Sequence, residues 1–416
     1  MYALAGSKPI VQKYGGTSVG TTDRILNVAR RVRLQIEAGF PRIAIVVSAM
    51  SGETNRLVEL VRQVNPNAPA LAYDMAVAAG EQVAVALMAA ALESEGVAAR
   101  PFLAHQLGIL TDTFHSRARI QRIDTQKLHR AWEQHQIPVI AGFQGVTEEM
   151  EITTLGRGGS DTSAVALAVA VGAAFCEINT DVDGVFTADP RYVKGARLCP
   201  VMDFEVALEM ASLGSKVLHP RCVELGAKWG MPIVVRNTFS TNEHQRTKIM
   251  NFGDSEQLEA TVVSGITVDR NVTRITVDGL ARSSHIIAAI FQRVAGLGVN
   301  VDIIVHDQAP DGENTRLGFT VGKDDTDKAL RGLEDWKQTH GGTARISTEG
   351  GLAKISAVGL GMQSHPGVAS KAFSVLSGAG IDIHMISTSE IKISCVIPGS
   401  DADRAANLLH QAFLEA

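Results

Sequence analysis

Apolar positions along the chain follow two rhythms. Ile43, Ile45, Val46 and Val47 form an almost unbroken run over 42–48, whereas Ile25, Val28, Ala29, Val32 and Ile36 recur every third or fourth position. The first pattern predicts a strand buried on both faces. The second predicts an amphipathic helix over 22–38, ended by Gly39. A short strand at 8–14 precedes them. Strand, glycine loop, helix and strand in this order predict the start of a parallel α/β sheet. The alternation continues with a helix over 75–92, strands at 98–103 and 137–141, a helix over 162–171 and a strand at 174–179. Helices at 204–212 and 219–229 and a strand at 232–236 follow, and the polar stretch 237–257 reads as a linker.

Beyond the linker the pattern repeats at an offset of roughly eighty residues. Asp278-Gly279-Leu280, Ser284-His285 and Gly296-Leu297-Gly298 are matched by Val358-Gly359-Leu360, Ser364-His365 and Gly378-Ala379-Gly380. Each copy continues into further strands (317–321 and 391–397) and another helix, which predicts two ferredoxin-like units. The pattern leaves open whether they exchange strands.

Composition narrows the class of function. A chain of 416 residues should hold two or three domains. A net charge of −5 argues against a general nucleic-acid binder. The alanine-rich run 75–92 is interrupted by Glu81 and Gln82, so it reads as a buried helix and not a membrane span. Residues 1–9 lack a secretory signal pattern. Cys176, Cys199, Cys222 and Cys395 form no C-x-x-C pair, so neither zinc nor a disulfide framework is expected, and the thiols read as buried and inert in a cytoplasmic protein.

The candidate chemistry centres on the stretch 151–163, which includes Gly156-Arg157-Gly158-Gly159-Ser160-Asp161. Glycines around an arginine allow a tight turn, and Ser160 or Asp161 can cap a helix starting near Thr162. Free backbone N–H groups, a helix N-terminus and a guanidinium together suit an anion; the alternative is a glycine turn with an ordinary N-cap. Lys13-Tyr14-Gly15-Gly16-Thr17-Ser18 sets a lysine beside glycines at a strand end, suited to phosphate or simply solvated. Neither a Walker A loop nor a G-x-G-x-x-G fingerprint occurs. Glu81, inside an apolar segment, is either a helix-start carboxylate or a group that holds an ammonium. Thr180-Asp181-Val182-Asp183-Gly184 is an incomplete EF-hand pattern, which argues against calcium.

Taken together, the Lys13–Ser18 motif, Thr153-Thr154-Leu155-Gly156-Arg157-Gly158-Gly159-Ser160-Asp161, and Thr180-Asp181-Val182-Asp183-Gly184 followed by Thr187-Ala188-Asp189-Pro190-Arg191 resemble the aspartate kinases, in that family's order. The resemblance covers essentially the whole chain and is closest to the monofunctional bacterial lysine/threonine-pathway type. It implies an amino-acid-kinase fold, an open and mainly parallel sheet sandwiched by helices, followed by two ferredoxin-like ACT regulatory domains. The implied boundaries are 1–240 for the catalytic domain, 241–260 for a linker, and 261–345 and 346–416 for the ACT domains.

The implied reaction is transfer of the γ-phosphoryl of ATP, with Mg2+, to the side-chain carboxylate of L-aspartate, the first step toward lysine, threonine and methionine. On this resemblance Lys13, Arg157 and Asp161 are catalytic. Lys13, Tyr14, Gly15, Gly16, Thr180, Asp181, Phe186, Arg191, Lys216 and Val217 form the nucleotide side. Ser48, Thr54, Glu81, Arg157, Gly158, Gly159 and Ser160 bind aspartate, with Arg157 on a carboxylate and Glu81 on the ammonium. Asp161 orients Lys13 or organises the Mg2+ shell. Effector contacts are expected at Ser283, Ser284, Ser364, His365, Val368, Ser387, Thr388, Ser389 and Glu390.

The chain departs from the family pattern at two points. Phe186 stands where the family often has tyrosine, and Ala281-Arg282-Ser283-Ser284 replaces the usual Asp-Lys-Pro-Gly, which puts effector identity in question. Lysine and threonine are the implied effectors, and a homo-oligomer is implied, with Met250 as an internal start for an ACT-only subunit. Two alternatives stand beside this reading: a same-fold kinase with another acceptor, and an amino-acid sensor with an inactive kinase half. Retention of Lys13, Arg157 and Asp161 argues against the second, and the Glu81–Arg157 pair against the first.

Overall fold

The computed structural model describes residues 8–40, 42–215, 217–242, 244–252, 262–308, 315–340, 344–362 and 365–415. Lys216 and Ser364, named above, lie outside them. The described chain forms two compact units. The first takes in residues up to Val185, Leu198–Ser212 and the described part of 217–252; the second takes in Phe186–Arg197, Leu213–Ser215 and the described residues from 262 onward.

The first unit runs β1 (Ile10–Tyr14), α1 (Thr22–Glu37), β2 (Ile43–Val47), α2 (Glu53–Val64), α3 (Ala70–Val77), α4 (Ala79–Ser94), β3 (Ala99–Phe102) and α5 (Ala104–Leu107). It continues through β4 (Leu110–Thr111), β5 (Ile120–Arg122), α6 (Gln126–Glu133), β6 (Ile137–Ala141), β7 (Gln144–Val146), β8 (Ile152–Thr154) and α7 (Gly159–Ala170). It closes with β9 (Cys176–Thr180), β10 (Val201–Asp203), α8 (Phe204–Ser212), α9 (Pro220–Trp229), β11 (Ile233–Asn237) and β12 (Arg246–Met250). Eight strands form one sheet in the order β10-β12-β11-β9-β1-β2-β6-β3, and β5-β4-β7-β8 form a smaller sheet. The large sheet is parallel except where β12 runs against β11.

Strands β1, β2 and β6 are buried at every position, which is why they read as continuous apolar runs. Val28 and Val32 of α1 and Met88 and Leu92 of α4 pack on Ile43, Ile45, Val47 and Val139. Tyr14 joins this core. Its neighbour Lys13 points to the opposite face, where α7 lies against β1. The carboxyl ends of the central strands are level, with Tyr14 paired to Val47 and Asn179, and Asn237 to Thr180. The loops leaving them therefore share one rim, where ligands bind in open α/β sheets.

Three local features differ from the sequence-based expectation. The helix expected over 75–92 is two helices, α3 and α4, meeting at Ala78. By length and composition Ala70–Ser94 would pass as a membrane span, but it buries Asp74 and Glu81 among protein partners, the mark of a core segment. The polar stretch after β11 contains a strand, β12, paired between β10 and β11, whose Thr247 and Ile249 are buried while their neighbours are half-exposed. Such a short alternation is easily lost among polar residues. Finally, α7 begins at Gly159, with Gly158 at the N-cap in a left-handed conformation and no side-chain cap. Asp161 thus sits inside the first turn and does not cap the helix.

The second unit contains β13 (Gly265–Leu280), α10 (Ser284–Gly296), β14 (Val301–Gln308), β15 (Thr315–Val321), α11 (Thr326–His340), β16 (Arg345–Val358), α12 (Val368–Gly378), β17 (Met385–Thr388), β18 (Lys392–Pro398) and α13 (Ala402–His410). They form one six-stranded sheet, β14-β15-β13-β16-β18-β17. The two long strands serve both repeats. In one repeat, Ile275 and Val277 of β13 pair with Thr348 and Ile346 of β16; in the other, Ile266 and Val268 pair with Ala357 and Ile355. The second repeat thus takes its fourth strand from the residues that precede the first. Each repeat keeps its own core, around Leu317, Phe319 and Trp336 in one and Ile355, Leu376 and Ile397 in the other.

Candidate active site

Four segments meet at the rim of the large sheet in the first unit. Lys13, the penultimate residue of β1, places Nζ 2.6 Å from Asp161 Oδ1 in the first turn of α7. The contact is charge against charge, without the alignment of a hydrogen bond. Both side chains are nearly buried, at 11% and 13% exposure. This low exposure strengthens their attraction and makes the loss of either partner costly.

The loop after β1 folds over this pair. A Cβ on Gly15 would stand 3.2 Å from Lys13 Nζ, and one on Gly16 would stand 2.9 Å from Ala49 O. Gly15 N donates to Asn179 O, which leaves the amides of Gly16 and Thr17 to face an anion in this turn. Tyr14 is fully buried, with its hydroxyl on Gln12 Oε1 at 3.2 Å, and burial pushes its phenol far up. Any contact of Tyr14 with a nucleotide therefore falls to its backbone, whose carbonyl accepts from Ser48 N.

The second loop follows β2. Ser48 is half-buried, and Ala49 N donates to Glu81 Oε1 at 3.0 Å. Glu81 Oε2 is buried with no hydrogen-bond partner. Burial raises the Glu81 carboxyl to about 7, against the backbone hydrogen bond from Ala49, which lowers it. A buried carboxylate oxygen without a donor leaves room for a cation. Thr54 is half-buried in α2, just beyond this loop.

The glycine loop 155–159 comes third. Gly156 and Gly158 have φ of +77° and +67°. A Cβ on Gly158 would lie 2.2 Å from His219 Cβ, so the arginine between these glycines is presented on a turn that no other residue can build. Arg157 is exposed, whereas Ser160 is half-buried with its Cβ 2.8 Å from where a Cβ on Gly142 would be. His219 caps α9, its Nδ1 accepting from Arg221 N at 3.3 Å, and burial lowers its pKa while Asp161 raises it.

The fourth segment follows β9. Thr180 Oγ1 donates to Asp181 Oδ1 at 3.1 Å, and Asn237 Nδ2 donates to Asp183 Oδ1 at 2.9 Å. Val217 is half-buried in this unit. Phe186 and Arg191 belong instead to the second unit, where Arg191 holds Asp189 at 2.6 Å. Among the described residues no three His, Cys, Asp or Glu side chains cluster as a metal cage. A divalent cation carried on phosphate oxygens needs only one or two carboxylates, and Asp161 fits that donor set.

Residues the sequence reading did not single out hold these segments together. Asp74 is fully buried and accepts hydrogen bonds from His115, Ser116 and Thr154. Arg221 donates to Leu155 O at 2.8 Å and to Ala118 O at 2.7 Å. Gln144 Nε2 donates to Ala78 O at 2.6 Å. An aspartate between Tyr73 and Met75 in an apolar helix was the one available signal; the other two become meaningful only once the loops are in place.

In the second unit, Ser283 is the N-cap of α10 and Ser284 its first residue. His365 Nδ1 lies 2.8 Å from Gly361 O, and Val368 begins α12 behind Gly367 at φ +103°. Ser387 and Thr388 end β17, and Ser389 N donates to Lys392 O at 2.9 Å in the turn that carries the exposed Glu390.

Residues 8–237 match the amino acid kinase family and residues 355–413 match an ACT domain. An aspartokinase of Bacillus sp. (strain MGA3) is 45% identical over 404 residues, covering 97% of both chains. Aspartokinase 2 of Bacillus subtilis (strain 168) is 44% identical, again over 97% of both. In fold, the chain is similar to a crystal structure of E. coli aspartokinase III in complex with aspartate and ADP in its R-state, with TM-score 0.80 at 24% identity over 98% of this chain and 100% of that one.

Proposed function

The chain belongs to the aspartokinase family, and from that premise we propose how its rim carries out the reaction. It is an aspartate kinase, which transfers a phosphoryl group from ATP to L-aspartate, and its ACT modules make it allosterically regulated. We assign the acceptor atom as the side-chain carboxylate, giving 4-phospho-L-aspartate.

That nucleophile is already an anion at neutral pH, so no general base is needed. The protein's work is positioning and charge neutralisation. Lys13 Nζ neutralises the transferring phosphoryl group, held in place by Asp161. The Gly16 amide approaches the phosphates, where any side chain would meet Ala49 O. Glu81 holds the substrate ammonium with its unpartnered oxygen, and Arg157 grips a carboxylate with its planar fork, aided by Ser160 and the backbone of Gly158 and Gly159. Ser48 and Thr54 line the acceptor side. Thr180, Asp181, Lys216 and Val217 form the nucleotide side. Mg2+, held on phosphate oxygens and toward Asp161, would neutralise phosphate charge when bound.

The observation that carries this reading is the nearly buried Lys13–Asp161 pair facing a loop with no room for a Cβ. We further propose that lysine and threonine act through the regulatory modules, which the contacts named for Ser283, Ser284, His365, Val368 and 387–390 would serve. The chain assembles as a homo-oligomer in the cytoplasm, with an ACT-only partner initiated at Met250. ATP turnover with Mg2+ and L-aspartate, repeated with lysine, threonine and both, tests the whole reading. Aspartate-dependent turnover suppressed by the effectors supports it. Turnover with glutamate or N-acetylglutamate instead of aspartate would overturn the acceptor assignment, and turnover without inhibition would overturn the effector assignment. A single band from the native gene carrying a C-terminal tag would remove the ACT-only partner.

A further inference from the structure

Asp74 is a fully buried carboxylate that touches none of the groups assigned to the reaction, yet all of its hydrogen-bond donors come from the segments leading into the glycine loop. Its Oδ2 accepts from Ser116 N at 2.8 Å, Thr154 N at 2.9 Å and His115 Nδ1 at 3.1 Å. Its Oδ1 accepts from Thr154 Oγ1 at 2.7 Å and Ser116 Oγ at 3.1 Å. Hydrogen bonds to a buried charge are the strong kind and fix geometry accordingly.

The chain between Thr154 and Arg157 has little slack. Leu155 N donates to Phe143 O at 2.9 Å, and Leu155 O accepts from Arg221 at 2.8 Å. Gly156, at φ +77°, has Ser116 O 2.9 Å from where its Cβ would be. On the other side, Asp74 sits in α3, and α4 follows directly with Glu81 in its first turn. The junction between these helices is tied to the same hairpin by Gln144 Nε2 on Ala78 O at 2.6 Å.

We propose that Asp74 is a positioning residue that sets the spacing between Glu81 and Arg157, and thereby the length of the amino acid the site accepts. This rests on the reading that Glu81 and Arg157 hold the two ends of the acceptor. Asp74 and Gln144 fasten the α3–α4 segment to the β7–β8 hairpin at two points, so the ammonium holder and the carboxylate grip move as one body. Without the brace, the gap between them is free to vary, and discrimination by length is lost.

The test uses Asp74→Asn and the milder Thr154→Val, which removes one O–H donor and keeps the Thr154 N–H, with Thr154→Ser as the conservative rescue. The expected result is a KM for aspartate raised about tenfold in Asp74→Asn and several-fold in Thr154→Val, with KM for MgATP within about twofold of the parent enzyme. Turnover with glutamate rises relative to aspartate, and Thr154→Ser behaves as the parent. Unchanged aspartate KM and unchanged acceptor preference in folded Thr154→Val and Asp74→Asn would overturn the proposal. So would a parallel rise in both KM values, the sign of a purely structural role. Arg157→Ala and Glu81→Gln run alongside separate the two claims. If these leave the aspartate KM unchanged, the acceptor reading itself fails; if they raise it and the Asp74 and Thr154 variants do not, only the brace fails.

Discussion

Lys13 and Asp161 meet at 2.6 Å across the sheet-to-helix boundary, one from the end of β1 and one from the first turn of α7. Lys13→Ala should therefore do two things. It removes the charge that faces the transferring phosphoryl group, and kcat should fall by about two to three orders of magnitude. It also strands the Asp161 carboxylate in a nearly buried place, which should cost about 3 kcal/mol of stability. Lys13→Met/Asp161→Leu should recover much of that stability and none of the activity. Steady-state kinetics and urea unfolding read the two effects separately, and unchanged turnover in Lys13→Ala would remove Lys13 from the mechanism.

Glu81 makes substrate binding depend on pH. Burial lifts its carboxyl from an ordinary 4.5 to about 7. Below that value the free enzyme carries a neutral acid that cannot pair with an ammonium. The kcat/KM for aspartate should thus rise about tenfold per pH unit up to about pH 7 and then level off, and Glu81→Gln should abolish the rise. For stability the sign runs the other way. A raised carboxyl means the folded state binds more protons than the unfolded state between about pH 4.5 and 7, so this group's contribution is complete below 4.5 and is lost as pH climbs through 7. Glu81→Gln should gain stability relative to the parent above pH 7 and not below 4.5. A flat kcat/KM profile across pH 6–8 in the parent enzyme would refute the assignment.

Some of this was legible in the chain and some was not, for physical reasons. The fully buried parallel strands announced themselves as runs such as Ile43-Ala44-Ile45-Val46-Val47 because neither face needed a polar residue. The Lys13 and Arg157 loops were legible because glycine spacing encodes backbone shape directly. Three things were hidden: the start of α7, where Gly158 in a left-handed conformation serves as N-cap without any side-chain signal; strand β12, whose only buried residues are Thr247 and Ile249; and Asp74, whose partners lie at positions 115, 116 and 154. Each depends on contacts between distant segments, which periodicity does not carry.

A side chain at Gly158 is not accommodated, and trimming His219 to alanine does not make room. A Cβ at position 158 would meet His219 Cβ at 2.2 Å and Cγ at 2.3 Å. It would also require a left-handed conformation, at φ +67°. Gly158→Ala should therefore cost about 2–4 kcal/mol and displace Arg157. Because the clash is with a Cβ that alanine retains, Gly158→Ala/His219→Ala should be no better, whereas Gly158→Ala/His219→Gly should recover part of the loss. Thermal unfolding midpoints and aspartate KM decide it. Rescue by His219→Ala would mean that the loop and α9 are less closely packed than the structure has them.

The segment Phe186–Arg197 is anchored within the second unit by a buried histidine. His410 is fully buried, with Nε2 2.8 Å from Thr187 Oγ1 and Nδ1 2.7 Å from Glu415 Oε1. Thr187 Oγ1 also accepts from Arg197 N at 2.9 Å, and Arg197 donates to Leu414 O, so a single threonine hydroxyl joins both ends of the segment to the last turn of the chain. Ala188 and Val193 from the same segment complete the core around Ile355 and Leu409. His410→Ala removes both side-chain bonds and leaves the half-buried Thr187 with one partner fewer, which should cost about 1–2 kcal/mol. The loosening should be local. Amide exchange at Thr187 and Arg197 should quicken, while the amides of β1, β2 and β6 keep their protection. His410→Gln, which keeps one polar group for Thr187 but cannot bridge to Glu415 as the ring does, should fall between. Equal acceleration throughout both units would show that His410 supports global stability, and no acceleration at Arg197 would show that the Thr187 hydroxyl does not hold the segment in solution.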